Sequence, residues 1–316
     1  MKRKMSALDT QVTVAKMYYR EGNSQEQIAS HLKVSRPTVT RILKSCLEDG
    51  IVTIHIKETG SAMRALEDRL RLAFGLRKVI LVPSDPSYTV NQDRVGAAAA
   101  EQLLAALPEN ALIGLSWGST LTQILGHITE AEKRPADVIQ ILGDPFFNSE
   151  SNAAFMTVSL AKTLGGRAFV LPAPMLVQSA ALRDMLLYEP HMRELYDRFS
   201  QISVALLGLG GITAKKHPYV THGSAIAEAY KDARRRGAVC DFCGAFLRED
   251  GARVESALDD QTFCMPLEQL KQIPEVIGVA CGAQKARAAV AALRSGYVHT
   301  FVLDEELAGA ILERAV

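Results

Sequence analysis

Apolar residues recur along this chain with more than one period, and the changes of period divide it. Up to Leu47 the spacing is helical. Leu8, Val12, Ala15 and Tyr19 share one face of a first helix over Leu8–Glu21. Ile28, Ala29 and Leu32 share a face of a second, and Val39, Ile42, Leu43 and Leu47 of a third. Ile51–Ile56 is β-branched and predicts a short strand. Helical spacing returns over Ala62–Phe74, where Met63, Leu66, Leu70 and Phe74 form an apolar seam. Beyond Lys78 short apolar runs alternate with helical patterns. The runs predict strands at Val79–Val82, Leu112–Leu115, Val138–Leu142, Ala168–Leu171, Ile202–Leu207, Val276–Ala280 and Val298–Leu303. Helices are expected between them at Arg94–Leu107, Ser119–Ile128, Ala153–Leu164, Ser179–Leu187, His191–Phe199, Gly223–Arg236 and Ala283–Arg294, with Glu305–Arg314 closing the chain. Uninterrupted apolar strands separated by helices imply a mostly parallel sheet covered on both faces. The expected fold is therefore α/β: a helical head over 1–57, a connecting helix over 58–76, and a doubly wound body over 77–316. The seam of the connecting helix suits dimerisation or packing on its own body, and its short spacing does not choose.

The second and third helices carry the capping signals of a helix-turn-helix. Ser24 with Gln27 makes a capping box. Ser35 is a second N-cap, Pro37 lies in the first turn that follows, and Gly50 ends the helix. Lys33 stands at the turn, where a left-handed conformation is required and a side chain is strained by about 1–2 kcal/mol. The polar face of the third helix presents Ser35, Arg36, Thr38, Thr40, Arg41 and Lys44. Short donors near the N-terminus and long cations further along are what reading base edges and gripping phosphates require. Charge strengthens the reading. Residues 1–57 hold ten Lys/Arg against five Asp/Glu, a net +5 on a chain whose total is +1, so the remainder carries −4. A basic head on a mildly acidic body fits a partner of double-stranded DNA.

Composition narrows the class further. With 316 residues the chain has room for about two domains, and 48% hydrophobic against 22% charged residues is ordinary for a folded globular protein. The basic start Met1–Met5 is followed by no apolar core of a secretory signal. The longest uncharged apolar run, Ile202–Ile212, is too short to span a bilayer, so a cytoplasmic protein is expected. Cys240 and Cys243 have the spacing of a redox pair or half a zinc site. The other cysteines, Cys46, Cys264 and Cys281, are scattered, and no second ligand pair is present. Buried reduced thiols are the simpler reading, and no metal or cofactor is called for.

In an open α/β sheet, ligands bind beyond the carboxyl ends of the strands. The loop after the second strand reads Gly114-Leu115-Ser116-Trp117-Gly118-Ser119-Thr120. Gly118 allows close backbone approach, while Ser119 and Thr120 offer hydroxyls at a helix start, the chemistry of a phosphate or sugar cradle. Asp144 follows the third strand and Asn152 opens the next helix. Gly210 and Gly211 follow the fifth strand, and Asp241 lies in an apolar phrase between two cysteines. Asp144 and Asp241 suit either the clamping of vicinal hydroxyls or ordinary capping and pairing. Lys285 falls in the first turn of a helix, where a cation opposes the macrodipole unless an anion lies between them. It is the candidate phosphate-binding cation.

Together these residues resemble the SorC family of bacterial sugar-responsive transcriptional regulators, also called SorC/DeoR-type. The resemblance runs the length of the chain. It is carried by Gln27-Ile28-Ala29, Val34 through Leu43 and Glu48 through Val52 in the head. In the body it is carried by Gly114 through Leu121, Gly208 through Gly211, Asp241 through Gly244, Leu267 through Leu270, Ile273 through Ala280 and Gly282 through Ala286. It implies a C-terminal domain like the sugar-phosphate isomerases and deaminases that binds a sugar phosphate as effector, and a homo-oligomer, dimer or tetramer. By motif, Gly118, Ser119, Thr120 and Lys285 would contact phosphate, with Asp241 and Asn152 facing the sugar. Trp117 before the glycine, and Gln261 where relatives often carry Arg, depart from the pattern and leave an unphosphorylated polyol open. The alternative is an isomerase- or deaminase-like enzyme with an appended head. Those deaminases carry Asp-Gly-His after the glycine loop, whereas Gly210 to Ala214 supplies neither acid nor histidine; His217 and His222 lie nearby.

Overall fold

A computed structural model describes residues 7–52, 61–129, 134–144, 152–212 and 224–315. The chain forms two compact units, Met1–Thr59 and Gly60–Val316.

In the first unit, α1 (Ala7–Ala15) continues into a π-helical turn, Lys16–Arg20, followed by α2 (Gln25–Leu32) and α3 (Arg36–Glu48). Val14, Ile28, Ala29, Val39 and Leu43 form its core, with Met17, Tyr18, Leu32 and Ile42 packed around them. The π turn explains why the expected face of the first helix is out of phase. A wider turn rotates the residues that follow it, so Met17 and Tyr18 reach the core while Tyr19 is 42% exposed. In α3, Cys46 rather than Leu47 takes the last buried position. Its thiol donates to the Gln11 carbonyl at 3.4 Å. Ile51 and Val52 form a bend, and the rest of the expected strand over 51–56 lies outside the described residues.

The second unit begins with α4 (Ser61–Phe74). Leu70 is buried in the body's core with Met63, Leu66 and Phe74 packed beside it, so the seam that suggested dimerisation is covered by the chain's own body. Glu67 of α4 also accepts the Leu81 amide at 3.0 Å. That amide belongs to β1 (Lys78–Val82), an edge strand, and satisfying its free donor blunts the edge.

Each of the seven expected strands joins one parallel sheet. Besides β1 these are β2 (Ala111–Leu115), β3 (Ala136–Gln140), β4 (Ala168–Phe169), β5 (Val204–Gly208), β10 (Glu275–Ala280) and β11 (Thr300–Asp304), in the order β1-β11-β10-β5-β2-β3-β4. Alternate residues serve opposite faces. Leu206, Ile277 and Val302 pack with α5 (Tyr88–Ala106) and α7 (Ala153–Leu164). Leu207, Val276 and Phe301 pack with α11 (Ala286–Arg294) and α12 (Glu305–Ala315). The chain winds from β2 towards β4, then returns to β5 and winds the other way, so the adjacent strands β2 and β5 mark the topological switch point.

A four-stranded antiparallel sheet, β6 (Gly210–Gly211), β7 (Ala238–Phe242), β8 (Ala245–Arg248) and β9 (Arg253–Val254), was not anticipated. Its hairpin turns at Cys243 and Gly244, with φ of 52° and 77°. Two consecutive positive φ values make the turn that matches strand twist, usually signalled by Asn-Gly; Cys-Gly hides it. Among the remaining helices, α8 (Ala180–Leu187), α9 (Pro190–Arg198) and α10 (Ser224–Arg235) agree with expectation within two residues at each end. The expected helix over Ser119–Ile128 is shorter: one α turn, α6 (Ser119–Thr122), then a 3-10 turn, Gln123–Gly126. No described helix is long and apolar enough to cross a membrane.

Candidate functional site

The head presents its polar face as the capping chemistry dictates. Ser24 accepts the Gln27 amide at 3.3 Å, and Gln27 Oε1 accepts the Ser24 amide at 2.7 Å. Lys33 takes φ 54° and ψ 43°, the left-handed conformation expected at the turn. Ser35 caps α3 through the Thr38 amide at 3.3 Å, with the two hydroxyls 2.8 Å apart. Arg36 pairs with Glu26 of α2 at 3.0 Å, Thr40 donates to Gln25 at 2.8 Å, and Lys44 lies 3.6 Å from Glu48. These are exposed contacts, each worth little in water and readily exchanged for a phosphate. Arg41 has no ion pair or hydrogen bond among the described residues and is exposed.

In the body, the candidate residues gather where β2, β5, β10 and β11 end. Ser116 joins two of these strands: its amide donates to Leu206 at 3.1 Å, and its hydroxyl accepts the Gly208 amide at 3.1 Å. The chain then passes Gly118, at φ 155° and ψ 151°, a conformation L side chains rarely adopt. A Cβ there would meet nothing within 4 Å, so the backbone faces open space. From β5, Gly210 and Gly211 enter the small sheet, Gly210 opposite Asp241 and Gly211 opposite Cys240. Two separate sequence candidates, the glycine loop and Asp241, are thus register neighbours.

The Lys285 loop is held by a residue the sequence reading passed over. Asp304 ends β11 fully buried, and its two oxygens accept the Gly282 amide at 3.0 and 3.1 Å. It also accepts the Leu307 amide at 3.2 Å, capping α12. The available signal was an Asp immediately before an acidic helix start. Lys285 itself ends a 3-10 turn, Ala283–Lys285, and occupies the N-cap position of α11 without a side-chain capping bond. Protein surrounds its side chain, and burial lowers its pKa against the opposing influence of Cys281, Cys240 and Asp304. It makes no hydrogen bond or ion pair among the described residues. Asp241 is enclosed too. Burial pushes its carboxyl up to about 7, although the Gly244 amide donates to it. Both side chains keep some solvent contact.

Other candidates have local duties. Asn152 caps α7, its oxygen accepting the Phe155 amide at 3.0 Å. Asp144 accepts the Ala154 amide at 3.2 Å, and burial raises its pKa. Both therefore stand at the start of α7, Asp144 in the capping role that the sequence left open beside the clamping of hydroxyls, and Asn152 where the resemblance would have it face a sugar. Ser119 accepts a hydrogen bond from Gln92 of α5 at 2.9 Å. Thr120 is buried, its hydroxyl 3.9 Å from the Cys281 sulfur, so it faces the protein interior. Trp117 was not a candidate, yet its indole Nε1 is buried with no hydrogen-bond partner among the described residues. An unpaired buried donor is costly to keep, and this one lies in the Gly118 loop.

The thiol question resolves towards burial. Cys240 and Cys243 are enclosed, and burial drives both well above the ordinary thiol range, the opposite of an activated redox pair. Among the described residues no group of His, Cys, Asp or Glu has the makings of a metal site. His217 and His222 lie outside the described residues.

Comparison with known proteins agrees with both halves. Residues 20–53 match a winged helix-turn-helix DNA-binding family, and residues 59–313 match the family described as "Putative sugar-binding domain". The chain is 27% identical over 308 residues to the sorbitol operon regulator of Klebsiella pneumoniae, covering 96% of this chain and 97% of that one. It is 26% identical over 303 residues to the deoxyribonucleoside regulator of Bacillus subtilis, covering 95% and 96%. It is 30% identical over 304 residues to the transcriptional regulator YjhU of Escherichia coli, covering 94% and 92%. The crystal structure of full-length SorC from K. pneumoniae superposes with a TM-score of 0.85 at 25% identity, over 98% of this chain and 100% of that one. A helix-turn-helix joined to an α/β sugar-binding body defines a DNA-binding transcriptional regulator with an effector domain. The chain belongs to the SorC family of such regulators.

Proposed function

We propose that this regulator binds a sugar phosphate at the carboxyl ends of β2, β5 and β10, and that the ligand changes its affinity for operator DNA. The phosphate would lie between the open backbone of Gly118 and Ser119 and the Lys285 ammonium, and Asp241 beside Gly210 would take sugar hydroxyls. The observation that carries this is Lys285: a lysine enclosed by protein, with no partner among the described residues, beside the switch point of the sheet. An anion is the group that would offset its burial. The DNA contacts would be Ser35, Arg36, Thr38, Thr40, Arg41 and Lys44, Arg41 being the cation already free of acidic neighbours.

The protein would act in the cytoplasm as a homo-oligomer without catalysing turnover of its effector. Exposed apolar pairs at helical spacing, Phe155 with Val158 on α7 and Leu182 with Met185 on α8, support self-association. The ligand must then bind one quaternary arrangement better than another. A coupling of about 1–3 kcal/mol suffices for a 5- to 150-fold change in operator affinity. The test is a thermal-shift screen of the full chain against sugar phosphates and the corresponding free polyols, followed by operator binding with and without each hit. Stabilisation by phosphorylated sugars and not by their free forms is expected. Stabilisation by free polyols alone, or conversion of the bound sugar phosphate, would overturn the reading.

A further inference from the structure

The mechanism above leaves unused an arginine on α8. α8 contains no buried residue, and it exposes Leu182 and Met185 at 40% and 68%. Inward it carries Arg183, whose Nε is inaccessible to solvent and has no hydrogen-bond partner among the described residues. Its one ion pair among the described residues is a 3.8 Å approach to Asp184, the adjacent residue, whose side chain is 62% exposed. Neighbouring α9 contributes Tyr196, whose hydroxyl is also buried without a partner among the described residues. Arginine stays charged at any pH the protein meets. Two donor atoms from adjacent helices, the Arg183 Nε and the Tyr196 hydroxyl, are thus withheld from water with no hydrogen-bond acceptor among the described residues.

Their place relative to the effector cleft follows from Cys264. This residue pairs with Leu142 just beyond β3, and it packs with Trp117 against the same apolar cluster. The segment leading to α8 is tied to the same stretch, through the Leu176–Thr262 bridge and the Val177 amide donating to Gln261 at 3.0 Å. Arg183 and Asp241 both act on the Cys264 thiol, while Asp241 and Lys285 both act on Cys240. Cys264 is therefore a shared neighbour of Arg183 and Asp241, and Cys240 of Asp241 and Lys285. No ion pair joins Asp241 to either among the described residues.

We propose that Arg183 and Tyr196 form a second anion-binding subsite in the effector cleft, so that the effector is a carbohydrate with two acidic groups. The phosphate at Lys285 occupies one end, and a second phosphate or a carboxylate receives the Arg183 guanidinium and the Tyr196 hydroxyl at the other. This inference rests on the sugar-phosphate reading and narrows its ligand class. A guanidinium suits such a group because its forked donors match both carboxylate and phosphate.

The test measures the affinity of the full chain by calorimetry for two matched pairs of probes. These are glucose-6-phosphate against 6-phosphogluconate, and fructose-6-phosphate against fructose-1,6-bisphosphate. In at least one pair the doubly acidic member should bind about tenfold tighter or better, as a charge-assisted pair in an enclosed site allows. Arg183→Gln should bring that ratio close to one, Tyr196→Phe should lower it in part, and Arg183→Lys should restore some of it. Circular dichroism of each variant checks the fold, and because the readout is a ratio, a general loss of stability does not imitate it. A ratio near one in the parent protein, or one that survives Arg183→Gln, overturns the second subsite and leaves the sugar-phosphate reading standing. Failure of every phosphorylated probe to bind overturns both.

Discussion

The two recognition surfaces of this chain hold charge in opposite ways. On α3 the cations stand in water, with the Arg36 and Lys44 side chains 66% and 77% exposed and their acidic partners nearly as open. In the body, Lys285 and Asp241 are enclosed by protein and Arg183 buries its Nε. An exposed cation costs the fold almost nothing and gives an affinity that salt erodes. An enclosed one strains the empty protein and rewards only the ligand that completes it. The head is built to hold a polyanion in many registers, and the body to respond to one small molecule. Substitutions that move charge on each surface should therefore fail in different ways.

The sharpest division is expected from Lys285→Met. It should weaken sugar-phosphate binding by about 2–5 kcal/mol, the usual cost of removing one member of an enclosed charge pair, while operator binding without ligand keeps its salt dependence. Burial lowers the Lys285 pKa, so the charged side chain opposes folding, and the ligand-free variant should melt no lower than the parent. Calorimetry and a melting curve check both halves. A melting point that falls in step with the affinity would make Lys285 structural and remove the contrast.

Asp241 offers the same distinction through pH. Its carboxyl rises from 3.8 unfolded to about 7 folded, so between those values the folded state holds the proton more tightly. Its contribution is neutral below pH 3.8 and grows unfavourable as pH climbs to about 7, where it levels off. The full displacement corresponds to at most about 4 kcal/mol at about 1.36 kcal/mol per unit, and residual solvent contact reduces the measurable part to about 1–2 kcal/mol. Asp241→Asn should flatten that portion of a stability-against-pH profile. An unchanged slope would place the carboxylate in water, as on the head.

On the head the expected signature is salt. Arg41→Ala should weaken operator binding several-fold and reduce the slope of log affinity against log salt by about 0.9, one phosphate contact. Effector affinity should not change. Fluorescence anisotropy over a range of potassium chloride concentrations measures the slope. The same slope in parent and variant would take Arg41 off the DNA.

The same contrast governs what the sequence discloses. The parallel strands were readable from their apolar runs, of which Val204–Leu207 is buried on both faces. The caps at Ser24, Ser35 and Lys33 were readable because the chemistry lies within four residues. The small antiparallel sheet was not, because β6 is two glycines with no side chain to show a period, and Cys243-Gly244 conceals its turn. The first two turns of α5 were missed for a related reason. Asn91 and Gln92 are buried polar residues serving Asp85 and Ser119, and they break the apolar stripe. Among the candidate residues, Gly118, Gly210 and Lys285 were legible as loop positions after strands, and Asp241 from its apolar phrase between two cysteines. Asp304, Trp117 and Arg183 were not, since whether a polar atom is paired or orphaned depends on neighbours far away in sequence. Asn152 shows the converse, a polar residue in a plausible loop whose oxygen caps its own helix.

The smallest expected effect concerns Lys33, where the head carries strain instead of buried charge. Its left-handed backbone lets its own amide reach the Ala29 and Ser30 carbonyls, and the Val34 amide reaches Ala29 at 3.0 Å, which closes α2 before the turn. Holding an L residue there costs about 1–2 kcal/mol. Lys33→Gly removes that cost but adds about 0.5–1 kcal/mol of lost chain entropy, leaving a net gain of about 0.5–1 kcal/mol. The side chain is exposed and makes no hydrogen bond or ion pair among the described residues. Hydrogen exchange of the α2 and α3 amides in the full chain should therefore slow modestly, while operator affinity falls slightly through the lost positive charge. Faster exchange would mean that the Lys33 side chain supports the head through its stem. The turn would then be stabilised by packing, as the body is, and not merely tolerated in water.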